Sequence, residues 1–458
     1  MNDDLDRLAA ANGIVRSYQA LDATISRASD EAVNAILDIL GATGYQNVPA
    51  PKGDWPPPPR APDDISCYLP AFLQEGRAWG VTCQLYGLRS RRNWGIGDFE
   101  DLARLGELLA QKGADFIGVN PLHGLFLSEP QKASPFSPSD RSFLNPLYIA
   151  TDKIEGFDPG SDLDEAAIGA LRERELVDYP AVCSHKLGVL RRIFRRTIAA
   201  NRVALNTFRE KGSTPLFRFA LFEAISLEMV RRKIGSGWYA WPKEFQDPEG
   251  EAVAQFAREH SEEVEFLIWL QWIADAQLGA VAGRLRRAGM RTGLYLDLAV
   301  GTAPDGAATW SDRTLTIVGA EIGAPPDMFN PEGQKWGLAP VSPRELTARQ
   351  YQPLRFAYET ILRHGGALRI DHAMSLHRLF WVPEGMRAAD GAYVLYPMPE
   401  MVRVLAEASQ SRQAIIIGED LGVVPDGFRE EMDRANLLGY RIFYFERSEQ
   451  GFIPPDRW

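Results

Sequence analysis

From about residue 79 onward, short apolar runs alternate with amphipathic helical stretches, and this alternation restricts the fold more than any other feature. WGVTCQLYGL (79–88) reads as a strand, DFEDLARLGELLAQKG (98–113) as a helix ending at Gly113, and DFIGVNPL (115–122) as a second strand. A charge-rich helical stretch over 160–245 interrupts the rhythm. It resumes with helix 263–288 before TGLYLDL (292–298), helix 344–363 before GALRID (366–371), helix 398–409 before AIIIGE (414–419) and helix 426–436 before YRIFYF (440–445). Strands joined through helices run parallel, and apolar runs this short suit strands buried on both faces. The order predicts an α/β fold, a (β/α)8 barrel of the TIM type in preference to a doubly wound sheet. About six strands are expected. The barrel is therefore expected to be incomplete, with two strands and their helices missing beyond the closing PPDRW.

Residues 1–46 are expected to form a small helical segment. SYQALDATIS and SDEAVNAILDILGA both carry a 3.6-residue apolar period, and Ser29-Asp30-Glu31 is a helix start. NVPAPKGDWPPPPRAP (47–62) holds four consecutive prolines, which fit neither a helix interior nor a central strand, so 47–75 reads as an extended linker leading into a barrel over 76–458. The 458-residue chain is 45% hydrophobic, enough for a large core, and its net charge of −11 without a dense Lys/Arg run argues against nucleic acid or an anionic membrane as partner. RRIFRR (191–196) has helical spacing and reads as a solvated helix face. Cys67, Cys83 and Cys183 form no CxxC pair, the opening MNDDLDRLAA is acidic, and no apolar run reaches membrane-spanning length, which together predict a cytoplasmic protein. The six histidines form no HExxH or HxH, and the GIG of NWGIGDF lacks the third glycine of a dinucleotide loop, so no metal and no cofactor are expected.

The chemistry concentrates at strand ends. GLYLDL ends near Asp297, GALRID at Asp371, and AIIIGE at Glu419, which Asp420 follows. In a βα barrel the C-terminal strand ends face one site, and carboxylates there resist desolvation. One such acid is as easily a helix cap or a local ion-pair partner; three on successive strands point to a site. Paired carboxylates can break a glycosidic bond, one attacking the anomeric carbon while the other protonates the leaving oxygen. The two must differ in protonation. Arg369 shares a strand face with Asp371 and is expected to lower its pKa and keep it anionic as the nucleophile. Glu419 follows an apolar run without a neighbouring cation, so burial should raise its pKa and suit it to general acid/base work. His372 could donate to a sugar hydroxyl or simply be a satisfied core histidine. Trp336, in the Gly/Pro-rich GQKWGLAP, reads as a loop residue able to stack on a sugar ring; Trp94, Trp238 and Trp241 read as core. Asp420 is placed with the substrate-binding candidates.

These segments resemble the amylomaltases, also called 4-α-glucanotransferases or disproportionating enzymes, of glycoside hydrolase family 77. The resemblance runs from about residue 79 to the end through QLYGLRSRRNWGIGDFEDL, GVNPLHGLF, SPFSPSDRSFLNPLYI, GLYLDLAVG, GAPPDMFNPEGQKWGLAP, GALRIDH and IIIGEDLG. It implies that Asp371 is the nucleophile, Glu419 the acid/base, Arg369 the residue that orients the nucleophile, Trp336 an acceptor-side contact and Asp297 a neighbour of the donor sugar. It implies transfer of an α-1,4-glucan segment between maltodextrins. The longer bacterial members usually carry a β-rich domain where this chain has only the proline-rich linker. The family also carries a third carboxylate, an aspartate after a histidine on a later strand, and no His-Asp dipeptide occurs in this sequence. That departure leads to the expectation of a truncated chain that has lost most activity, with a non-catalytic glucan-binding fragment as the alternative. A Mg²⁺ site built from Asp297, Asp371 and Glu419 is a further reading, disfavoured because Arg369 already supplies the positive charge.

Overall fold

The computed structural model describes residues 3–19, 25–41, 56–327, 330–448, 450–454 and 457. In chain order its main elements are α1 (Asp3–Ala11), β1 (Ile14–Val15), α2 (Asp30–Ile39), β2 (Gly80–Cys83), α3 (Phe99–Ala110), β3 (Phe116–Val119), α4 (Tyr179–Arg231), α5 (Ser261–Arg287), β4 (Gly293–Leu298), β5 (Ala320–Ala324), β6 (Gln334–Leu338), α6 (Pro343–Ala348), α7 (Gln352–Ile361), β7 (Ala367–Ile370), β8 (Arg378–Pro383), β9 (Ala392–Leu395), α8 (Met398–Arg412), β10 (Ile415–Gly418) and α9 (Phe428–Arg434). The first part of the expected linker, 47–55, lies outside the described residues, and 56–62 has no regular structure.

The repeating region folds as its rhythm predicts, into a parallel sheet of βαβ units. The sheet has five strands in the order β10-β7-β4-β3-β2. The expected sixth strand is not one. Over 440–445 the chain makes a 3-10 turn at Phe443–Phe445, and only Leu438 extends the parallel pairing, through one bridge to Ile417. An aromatic run holds as a strand when cover reaches it, and the rings of Phe443, Tyr444 and Phe445 are exposed.

A second sheet carries no βα rhythm and escaped the sequence reading. It is antiparallel, in the order β1-β9-β8-β5-β6. The N-terminal segment supplies its edge, Ile14 opposite Val394 and Val15 opposite Tyr393. The segment is thus only partly helical. SYQALDATIS does not continue as a helix: Ser17–Gln19 pairs with Ile25–Arg27 as an antiparallel hairpin. The buried Arg16 guanidinium binds Asp6, Asp30 and the Ala28 carbonyl at once, tying the hairpin to both flanking helices. The helix expected over 344–363 is also divided, because Gln350 and Tyr351 adopt left-handed backbone (φ 50° and 60°) before Pro353 opens α7. RRIFRR lies on a helix, α4, with Ile193 and Phe194 buried and its arginines on the solvated face, where Arg191 and Arg195 pair with Glu263 and Glu262 of α5, and Arg192 and Arg196 with Asp162. Trp94, Trp238 and Trp241 are core, as read from the sequence.

NWGIGDFEDL earns its place structurally. Asp98 caps α3 and Asp101 reaches back to the Asp98 N–H, a reciprocal capping box. Arg92 binds three carboxylates, Asp98 at 2.6 Å, Asp101 at 2.9 Å and Asp152 at 2.5 Å, with only 13% of its side chain exposed. Removing one member of a buried ion network strands the others, at roughly 3–5 kcal/mol. Arg92→Ala should therefore lower unfolding stability by about that amount, read by urea denaturation; a loss under ~1 kcal/mol, the scale of an exposed pair, would show that the carboxylates rehydrate.

Candidate active site

Sheet register builds the site. Arg369 on β7 stands opposite Asp297 on β4 and Ile417 on β10. Alternate residues of a strand share a face, so Asp371 and Glu419, each two positions further on, emerge on the same side. Arg369 donates to Asp297 at 2.8 Å and lies 2.8 Å from Asp371, while its second terminal nitrogen lies 4.0 Å from Glu419. Glu419 accepts the backbone N–H groups of His372 (2.9 Å) and Leu421 (2.8 Å). His372 holds left-handed backbone, φ 48°, at the sharp exit from β7.

The charges do not balance locally, since one guanidinium faces three carboxyls. Burial pushes the Asp297 carboxyl up to about 7; Arg369 opposes this, while the charges of Asp371 and Glu419 add to it. Burial likewise raises Glu419, against its two N–H donors, with the Asp371 charge pushing the same way. This matches the expected elevation of Glu419. Asp371 departs from expectation: burial lifts its pKa above the usual range even though Arg369 and the Val300 N–H favour the anion. Desolvation outweighs the neighbouring cation because the pair sits in a partly dehydrated cleft. Burial, and then the charge of Arg378, hold His372 down at about 4, so its imidazole is neutral.

Asp371, His372, Glu419 and Trp336 line one cleft of about 520 Å³. Trp336 lies on strand β6, not in a loop as expected, and is half-buried. Its ring meets His372 edge-on at 5.2 Å, and its indole N–H donates to Gln334 at 3.2 Å. Arg369 reaches the cleft through its carboxylates. Asp297 is not among the residues lining this cleft; it lines a separate cavity of about 540 Å³ and touches the site through Arg369. Asp420 is not brought to the cleft: it is buried, pairs with Arg429 at 2.6 Å and accepts the Tyr440 N–H at 2.7 Å, anchoring the turn that follows β10. The sequence reading missed Phe136, Asp327 and Gln334, which line the cleft, and Tyr440, whose ring lies 5.6 Å from the Arg369 guanidinium. The first three sit inside SPFSPSDRSF and GAPPDMFNPEGQKWG, but no spacing rule singles them out.

Carboxyls at the ends of neighbouring parallel strands, held by one arginine beside a half-buried tryptophan, define a fold and site of the glycoside-hydrolase type. The chain belongs to glycoside hydrolase family 77: the family model described as 4-alpha-glucanotransferase matches residues 83–458. It is 38% identical over 407 residues to a 4-alpha-glucanotransferase of Haemophilus influenzae and 36% identical over 412 residues to one of Mycobacterium bovis, matching 84% and 85% of this chain. These matches cover 58% and 56% of the relatives, so the chain spans little more than half their length. The crystal structure of amylomaltase from Corynebacterium glutamicum superposes with a TM-score of 0.82 at 26% identity, covering 99% of this chain and 77% of that one. Amylomaltase from Streptococcus agalactiae, in complex with acarbose, shares the fold at a TM-score of 0.70 and 19% identity, over 81% of this chain and 74% of that one. Among the described residues no helix is long and apolar enough to cross a membrane.

Asp297 makes the site a pH-dependent cost to stability. Its carboxyl titrates near 7 when folded, against about 3.9 unfolded. A carboxyl raised on folding favours the native state when protonated, and that advantage is lost as pH rises through the window from about 4 to 7. The melting temperature of Asp297→Asn minus that of the parent should therefore climb between pH 4 and pH 7 and then level off. A flat difference across that window would place the Asp297 pKa at its ordinary value.

Proposed function

We propose that this chain carries 4-alpha-glucanotransferase activity, moving an α-1,4-glucan segment from one maltodextrin to the 4-hydroxyl of another. The carrying observation is that Asp371 and Glu419 open into one cleft from neighbouring strand ends with Arg369 between them. In the first half-reaction an Asp371 oxygen forms a bond to the anomeric carbon. The bond from that carbon to the leaving 4-oxygen breaks, and Glu419 gives that oxygen its proton. In the second, the Glu419 carboxylate takes the proton of the acceptor 4-hydroxyl. The acceptor oxygen bonds to the anomeric carbon and releases Asp371, with configuration retained. Each anion left behind is matched by a donor: Arg369 for Asp371, and the His372 and Leu421 N–H groups for Glu419.

The substrate-binding roles follow the same reading. Trp336 offers its face to an acceptor sugar, the neutral His372 imidazole can exchange hydrogen bonds with a hydroxyl, and Asp297 lies on the donor side. No metal or cofactor enters these steps. The five parallel strands are taken as an arc of a (β/α)8-type barrel over 76–458, with 1–46 as an N-terminal segment joined by the 47–75 linker. The acidic composition and free cysteines suit a cytoplasmic enzyme. The alternative of a non-catalytic glucan-binding fragment has no support in the comparisons, where the family match runs over 83–458.

The test is incubation of the purified chain with maltotriose and separation of products by size. Glucose plus a ladder of longer maltodextrins is expected; reducing sugar without a ladder would make it a hydrolase, and no product would overturn the reading. Asp371→Asn should abolish transfer, and Glu419→Gln should slow it by about 10²–10⁴-fold, the usual worth of a positioned acid/base. Transfer should also decline as pH rises through the elevated Glu419 pKa, because the acid must carry its proton.

A further inference from the structure

Glu419 is held through the residue that follows it. Its Oε1 accepts the Leu421 N–H at 2.8 Å. That N–H and the Asp420 carbonyl belong to one peptide group, and the carbonyl accepts Arg429 Nη2 at 3.0 Å. The same guanidinium donates from Nε to Asp420 Oδ2 at 2.6 Å, so one arginine binds both the side chain and the backbone of Asp420. The other carboxylate oxygen, Oδ1, accepts the Tyr440 N–H at 2.7 Å. The Tyr440 ring in turn lies 5.6 Å from the Arg369 guanidinium, within cation–π range. The buried Asp420 carboxylate therefore touches no sugar-facing surface, yet it is bonded to the supports of both Glu419 and Arg369.

We infer that Arg429 is a positioning residue for the acid/base Glu419, acting through the Asp420 side chain and the peptide group shared by Asp420 and Leu421. A peptide group is planar and rigid, so holding its carbonyl oxygen sets the direction of its N–H. Arg429 supplies a planar fork that fixes two oxygens in one orientation, which the point charge of a lysine does not. The N–H so directed meets Glu419 Oε1, while the His372 N–H at the exit of β7 meets Oε2 at 2.9 Å. The two donors follow different strands, β10 and β7, and between them they fix the plane of the Glu419 carboxyl relative to Asp371. They also act on its protonation. Burial raises the Glu419 pKa, and the Leu421 and His372 N–H groups oppose that rise by favouring the anion. Arg429 sits in the first turn of α9 with 57% of its side chain exposed, so replacing it opens no cavity in the core.

The inference rests on the reading of Glu419 as the transferase acid/base, and the test separates the two. The ionisable groups facing Glu419 are Asp371, Arg369 and the neutral His372, with Asp297 on the far side of Arg369. None of them is altered when Arg429 is changed. Arg429→Met removes the clamp; Arg429→Lys keeps the charge without the fork. With maltotriose, Arg429→Met is expected to lower kcat by about tenfold, part of the roughly 10²–10⁴-fold worth of a positioned acid/base. KM should stay within about twofold, because Arg429 lies behind Glu419 and outside the cleft lining. With the Leu421 N–H no longer directed at the anion, Glu419 holds its proton more tightly, and the basic limb of the kcat/KM profile should move to higher pH. A fall in kcat with that limb unmoved is what any local disruption produces, and it would overturn the positioning role. Arg429→Lys should keep the raised limb; a return to the parent's position would assign the effect to charge alone and overturn the clamp. The ¹³C-carboxyl titration of Glu419, assigned by its loss in Glu419→Gln, reads the same quantity without turnover. Its midpoint should rise in both Arg429 variants, and an unchanged midpoint in Arg429→Met overturns the inference even where the parent transfers normally. A parent without transfer, but with that midpoint shift in both variants, would reject the proposed function and leave the clamp standing.

Discussion

Arg369 lies 2.8 Å from both Asp297 and Asp371 and 4.0 Å from Glu419, so the carboxyls at these strand ends share a single guanidinium. One cation cannot neutralise three anions in a dehydrated cleft, and burial raises all three carboxyls, Asp297 included although Arg369 donates to it directly. Glu419, farthest from the guanidinium, is pushed toward holding its proton. Asp371, in direct contact, has the strongest local support for its anion. On the proposed reading, this difference in position is what separates Asp371 as nucleophile from Glu419 as acid. Asp297 shares the same arginine and is the most strongly raised, which makes it a second protonated group beside the reacting pair.

That arrangement needs neighbouring strand ends in fixed register and a roof to limit water. The parallel sheet supplies the register, since Asp297 and Arg369 stand directly opposite each other. The antiparallel sheet supplies the roof. β5 and β6 bring Gly323, Gln334 and Trp336 to the cleft, and β1 from the N-terminal segment pairs with the far edge of that sheet. Added at Gly323, a Cβ would lie 2.2 Å from the Gln334 carbonyl oxygen, so β5 and β6 approach as closely as they do only because that side chain is absent. The position of Trp336 thus depends on a close backbone contact between its own strand and β5.

The parallel sheet was legible in the sequence because each strand is an apolar run set between amphipathic helices, and Asp371, Glu419, Arg369 and Asp297 were legible because they stop those runs. The antiparallel sheet was not. RLFWVP is buried along its whole length, so it shows no alternation, and no helix follows it to mark a βα unit. Trp336 was placed in a loop because Gly333 and Gly337 flank it; both adopt positive φ, yet the strand continues between them with an irregular register. YRIFYF misled in the other direction. Its aromatic pattern is that of a strand, but Phe443, Tyr444 and Phe445 face outward and one bridge, at Leu438, joins this part of the chain to the sheet. The sequence distance between Arg369 and Asp371 suggested a lowered aspartate pKa; burial, which spacing does not report, reverses the sign.

The same burial bears on how Asp371 is held. A carboxylate drawn out of water loses several hydrogen bonds at once, and Arg369 replaces them from one side only. The Asp371 backbone N–H donates to the Leu298 carbonyl at 3.1 Å, and Arg141 and His123 hold the peptide groups that follow Leu298. Backbone donors suit this task because their direction is fixed by the chain and costs nothing to organise during reaction. SPFSPSDRSF thus reaches the cleft through Phe136, while its Arg141 and the His123 of GVNPLHGLF hold the backbone beyond β4.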